Sequence, residues 1–95
     1  MDIETMKKIV YPIALEYPIK KITLFGSRAD NTNREDSDVD LIIEFTEPVS
    51  LLTLSKVRVH LEEVLGLSVD VVHGPLRDNM LIVDKTIVLY DERNS

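Results

Sequence analysis

Two apolar runs, "KKITLFG" at residues 20–26 and "DLIIEF" at 40–45, are joined by a polar stretch too short to hold a crossover helix. Parallel neighbours need a full crossover connection, usually a helix, for which this link has no room, so these runs are expected to be antiparallel strands of one sheet. The rest of the chain must be arranged around that pair. Residues 3–16 set Ile3, Met6, Val10, Ile13 and Ala14 mostly at three- and four-residue spacings, with Lys7 and Lys8 apart, which predicts an amphipathic helix. It should end near Tyr17-Pro18, because the residue before proline disfavours helix. Pro12 inside it predicts a kink or a break.

"SLLTLSKVRVHLEEVLG" puts Leu54, Val57, Leu61 and Leu65 on one helical face, with Ser50 as N-cap and Gly66 at the C-terminus. "LSVDVVH" reads as a third strand, rich in valine. "GPLRDNMLIVDK" reads as a short helix with Pro75 in its first turn, and "TIVLYD" as a fourth, edge strand before a polar tail from Glu92. The helix from residue 50 to 65 is long enough to cross over to a third strand parallel to the second. The expected fold class is therefore α/β, a small mixed β-sheet covered by helices.

Ninety-five residues, 44 % of them hydrophobic and 5 % aromatic, suit one small domain with an aliphatic core. Eleven basic against seventeen acidic residues give a net charge of −6, which argues against direct binding to a nucleic-acid backbone. It leaves room for a nucleotide whose charge is carried by divalent cations. With no cysteine, disulfides and thiolate metal sites are excluded. No apolar run approaches the ~18 residues of a membrane span, and the N-terminus has no continuous apolar leader core. The expectation is a cytoplasmic protein with no membrane association.

On an extended strand alternate side chains share a face, so Asp38 and Asp40 project together, about 6–7 Å apart along the chain. Val39, Leu41 and Ile43 take the other face, toward the core. Two carboxylates so close repel, and ionising both calls for a compensating cation. Oxygen-only ligands suit a hard ion such as Mg²⁺. In the third strand, Asp70 sits between Val69 and Val71, a costly place for an acid without partners. If that strand lies beside the second, Asp70 joins Asp38 and Asp40 as a third carboxylate. At the far end of the polar stretch, Gly26-Ser27 closes the first strand and opens a short helical turn through Arg28-Ala29. Glycine admits close backbone approach, the Ser27 hydroxyl is a ligand, and the free N–H groups of the turn suit phosphate oxygens.

These residues resemble the minimal nucleotidyltransferases of the DNA polymerase beta-like superfamily. The pattern is Gly26-Ser27, ten residues, Asp38-Val39-Asp40, and then Asp70 thirty residues further on. "LFGSRA", "DSDVDLII" and "GLSVDVV" add to it, and the resemblance covers nearly the whole chain. It implies the polymerase beta-like nucleotidyltransferase fold. It implies two Mg²⁺ ions held by Asp38, Asp40 and Asp70, and NTP phosphates at Gly26-Ser27, with Arg28 a further contact to the triphosphate. A hydroxyl attacks the α-phosphate and pyrophosphate leaves; Asp70 serves the attacking hydroxyl. Many relatives have glycine where this chain has Asn31, a residue that also tolerates a left-handed backbone.

Small members of this family are often the antitoxin half of a toxin–antitoxin pair whose other half is a HEPN-domain toxin. The implied activity is transfer of AMP from ATP to a toxin tyrosine, that is AMPylation; the alternative is a non-catalytic antitoxin that neutralises a HEPN ribonuclease by binding. Transfer to a small molecule such as an aminoglycoside ranks third, because the larger relatives that do this carry an added helical domain. The length leaves no space for template-gripping domains, so a partner must present the acceptor. The apolar helix faces and the tail are candidate interfaces for a homo- or hetero-oligomer.

Other polar residues have plainer readings. An isolated Asp-x-Asp among seventeen acids is more often turn or cap chemistry than a metal site; the three-part spacing is what outweighs that. His60 reads as a partly exposed helix residue and His73 as a structural residue facing opposite Asp70. Asp36 and Ser37 shape the turn into strand two, and Arg34 and Glu35 belong to a solvated loop. Tyr11 and Tyr90 read as packing, and Glu44 as too distant along its strand to be a ligand.

Overall fold

The computed structural model describes residues 2–29, 38–75 and 85–94. Helix α1 (Ile3–Glu16) leads into β1 (Ile19–Phe25), a 3₁₀ turn (Gly26–Arg28), β2 (Val39–Phe45), α2 (Leu51–Leu65), β3 (Val69–His73), β4 (Ile87–Asp91) and a second 3₁₀ turn (Glu92–Asn94). The sheet order is β3-β2-β1-β4. β1 pairs antiparallel with β2 and with β4, whereas β2 and β3 are parallel. The mixed sheet expected from the sequence is therefore present, with β4 at one edge and α2 as the crossover to β3. The helix expected over "GPLRDNMLIVDK" falls mainly on residues outside those described.

Both helices begin on side-chain caps. Asp2 accepts from Thr5 N at 2.8 Å and Ser50 Oγ from Thr53 N at 3.1 Å, each taking up an N–H that the first turn leaves without a helical acceptor. α2 ends at Gly66, whose φ of 69° is the left-handed conformation that reverses the chain toward β3. α1 stops at Tyr17, extended ahead of Pro18.

Of the kink or break expected at Pro12, the break is absent: α1 runs through it to Glu16. The exposed Pro12 removes one N–H and disturbs one turn, a penalty of about 3 kcal/mol in a helix interior. Met6 and Val10 before it and Ile13 after it are buried in the same core. At roughly 1.5–3 kcal/mol for each large apolar side chain, that docking outweighs the proline.

One core holds the layers together. Met6, Val10, Ile13 and Ala14 of α1 and Val57, Leu61 and Leu65 of α2 meet Ile22, Leu24, Val39, Leu41, Ile43 and Val69 of the sheet. Both helices thus cover the same sheet face. Tyr11 and Tyr90 stack edge to face at 6.0 Å, and His73 packs against Phe45 at 5.4 Å, so these aromatic groups serve packing. Phe25, Asp40, Ile42 and Asp70 stand on the opposite face. Among the described residues no helix is long and apolar enough to cross a membrane.

Candidate functional site

The strand alternation that buries Val39, Leu41 and Ile43 turns Asp40 to the helix-free face. Asp38, just before β2, is exposed. Parallel pairing sets Asp70 of β3 directly opposite Asp40, with Val39 opposite Val69 and Leu41 opposite Val71 on the core side. Asp40 thus has Asp70 beside it on the neighbouring strand and Asp38 two residues before it, both near enough to repel its charge. On the other side of Asp40, antiparallel pairing places Phe25, the last residue of β1.

Gly26 follows Phe25 with φ 76°, in the left-handed region, and opens the 3₁₀ turn closed by Ala29 N donating to Gly26 O at 3.1 Å. A Cβ at Gly26 would run into Asp40 Oδ2. With its φ in the left-handed region and the Asp40 carboxylate close by, the position suits glycine. Ser27 occupies the middle of this turn. Arg28 ends it; this residue is 7 % exposed and already engaged within the protein.

Electrostatics bind the acids into one group. Burial pushes the Asp40 carboxyl above its ordinary value, and the nearby charges of Asp70 and Asp38 push it further. A divalent cation would relieve all three causes, and the oxygen-only donor set suits a hard ion. Among the described residues, no three carboxylate or imidazole groups already enclose a metal position. Asp38 and Asp70 are both exposed, so their side chains are not fixed by packing. In donor chemistry and charge the residues fit Mg²⁺.

A cleft of about 420 Å³ lies elsewhere, between α1 and α2, with Glu16, Tyr17, Lys56, Val59, His60 and Glu63 in its wall. His60 Nδ1 stands 3.5 Å from the Tyr17 hydroxyl and 3.4 Å from Glu16 Oε2. It belongs to the helix layer, across the sheet from the acids, and brings no carboxylate pair to a shared face of the sheet.

Asn31, Arg34, Glu35, Asp36 and Ser37 lie outside the described residues. Gly74 is a position whose importance the sequence did not signal. A Cβ there would stand 2.8 Å from Ile42 Cγ2 and 2.9 Å from Glu44 Cγ, so a glycine lets the chain leave β3 close over β2.

A model of the nucleotidyltransferase domain matches residues 6–93. The chain belongs to the nucleotidyltransferase domain family. A putative protein adenylyltransferase of Methanocaldococcus jannaschii is 42 % identical over 86 residues, spanning 85 % of this chain and 92 % of that protein. The solved structure of a putative minimal nucleotidyltransferase is 36 % identical, with a TM-score of 0.64 over 77 % of this chain and 78 % of its own. A complex of the tri-AMPylated Shewanella oneidensis HEPN toxin with MNT antitoxin contains a chain 15 % identical, with a TM-score of 0.71, over 98 % of this chain and 76 % of that one. At that identity the last likeness is one of fold. The four-stranded mixed sheet with two helices is thus a nucleotidyltransferase fold, as the sequence resemblance implied.

Proposed function

We propose that this nucleotidyltransferase moves AMP from ATP to a hydroxyl, the acceptor being a tyrosine of a HEPN toxin, and that the transfer makes it an antitoxin. The observation that carries the reading is Asp40 held between Asp70, its register partner, and the Gly26 backbone, with Asp38 two residues before it. The Methanocaldococcus relative, named for adenylyl transfer to protein, supports the reaction class. The Shewanella complex, with its AMPylated toxin, supports the acceptor.

Asp38, Asp40 and Asp70 would hold two Mg²⁺ ions. Bound there, they would neutralise the triphosphate and the charge that develops on it. The Gly26–Arg28 turn would take phosphate oxygens on its backbone and on Ser27, with Arg28 reinforcing that end. Asp70 stands on the edge strand, where an incoming hydroxyl has access, and its carboxylate would accept the hydroxyl proton. The hydroxyl oxygen bonds to the α-phosphorus as the bond from that phosphorus to the bridging oxygen breaks, releasing pyrophosphate. Water exclusion would fall to the partner that presents the hydroxyl, since Asp38 and Asp70 are exposed.

The test is transfer of label from α-labelled ATP to a HEPN partner in the presence of Mg²⁺. The Asp38→Asn/Asp40→Asn double variant should lose at least about 10²–10³-fold in rate, the scale of removing preorganised electrostatic stabilisation. Undiminished labelling by that variant would overturn the site. Full neutralisation of the toxin by the same unlabelling variant would favour a binding antitoxin instead.

A further inference from the structure

Asp70 lies on β3, which has a sheet neighbour on one side only in the order β3-β2-β1-β4. Val39 N donates to Ser68 O at 2.8 Å, and Val39 is the register partner of Val69. In a parallel ladder, the residue paired in this way turns its own N–H away from that neighbour. The Val69 N–H therefore points out of the open edge, where a backbone donor needs another acceptor. Glu62 Oε2 supplies it at 3.0 Å.

Glu62 is bound at three points. Its other carboxylate oxygen accepts from Arg58 Nη1 at 3.1 Å, one turn earlier on α2. Its backbone carbonyl accepts from Gly66 N at 2.9 Å, closing the helix. One residue thus links the end of α2, the Gly66 reversal and the first residue of β3. The next residue in the chain is Asp70. Because side chains alternate along a strand, a slip of one residue there would turn Asp70 to the core face and valine to the site.

We propose that Glu62 is a positioning residue for nucleotidyl transfer: through the Val69 N–H it fixes the edge strand so that Asp70 faces Asp40, and Arg58 steadies it. The proposal rests on the reading of Asp70 as a metal ligand. It makes the geometry of the third acid depend on a hydrogen bond from the opposite side of its strand.

The experiment measures Mn²⁺ binding to the full chain by the paramagnetic resonance of free Mn²⁺, with amide hydrogen exchange on the same samples. Glu62→Ala should lose protection at the Val69 amide and bind Mn²⁺ about tenfold more weakly, the lower end of what a lost outer partner of a metal ligand does. Protection at Ile22 and Leu24 in the sheet centre should persist. Glu62→Gln keeps a carbonyl oxygen for Val69 and should retain most of the affinity. Unchanged Mn²⁺ binding in Glu62→Ala, or an equal loss in Glu62→Gln, overturns the proposal. If Glu62→Ala loses protection across β1 as well, Arg58→Ala decides, since it frees Glu62 from a partly exposed position. A few-fold loss of affinity in that variant supports the proposal and none overturns it. Asp70→Asn separates the two layers of argument. Wild-type affinity in Asp70→Asn removes Asp70 from the site, whereas weakening in Asp70→Asn without weakening in Glu62→Ala removes only Glu62.

Discussion

Asp40 is where folding and chemistry pull in opposite directions. It is half-buried, faces two other carboxylates and lies against the Gly26 backbone. Its carboxyl is therefore raised above the ordinary value, first by burial and then by Asp70 and Asp38. A group whose value is higher folded than unfolded contributes its stability below the unfolded value and loses it as pH rises through the folded one. Metal-free protein should thus lose stability as pH rises from the ordinary aspartate range through the raised Asp40 value. Asp40→Asn should flatten that part of the profile and be at least as stable as the unaltered chain at neutral pH. Denaturant midpoints at a series of pH values, with chelator present, check this. A less stable Asp40→Asn at neutral pH would mean that the Asp40 charge is already compensated within the protein.

At the level of elements, α1 tolerates Pro12 because its buried face is anchored on both sides of it. Replacing proline by alanine in a helix interior gains about 3 kcal/mol of helix preference. Freeing the unfolded chain takes back up to about 1 kcal/mol. Pro12→Ala should therefore stabilise the protein by about 2 kcal/mol, seen as a higher Tm in calorimetry. Pro12 is exposed on a helix across the sheet from the acids, so transfer activity should not change. What the sequence revealed and what it hid divide along the same line. Caps, helix faces and strand alternation are local, so Ser50, Gly66 and the opposite facing of Val39 and Asp40 could be read directly. The survival of α1 through Pro12 depends on the sheet beneath it, which no local rule contains. The Asp40–Asp70 juxtaposition was legible because α2 is long enough for a parallel crossover. The Glu62–Val69 link was not, because a glutamate near a helix end looks like any solvated acid until Gly66 folds the chain back.

For the whole molecule, the metal site proposed at Asp38, Asp40 and Asp70 predicts a folded state that responds to divalent cations beyond what a net charge of −6 alone would produce. A ligand that binds only the folded state stabilises it by RT ln(1 + [L]/Kd), about 2.7 kcal/mol at a hundred times Kd. For a domain of this size each kcal/mol moves Tm by roughly 4–8 °C, so saturating Mg²⁺ should raise Tm by roughly 10–20 °C. Simple screening of the net charge would also raise it, so the comparison is with NaCl at equal ionic strength. Site binding predicts that Mg²⁺ acts far beyond that control in the unaltered chain and no further than it in Asp38→Asn/Asp40→Asn. Equal shifts with either salt, or a Mg²⁺ response that survives in the double variant, would assign the effect to overall charge and leave the acids without a metal.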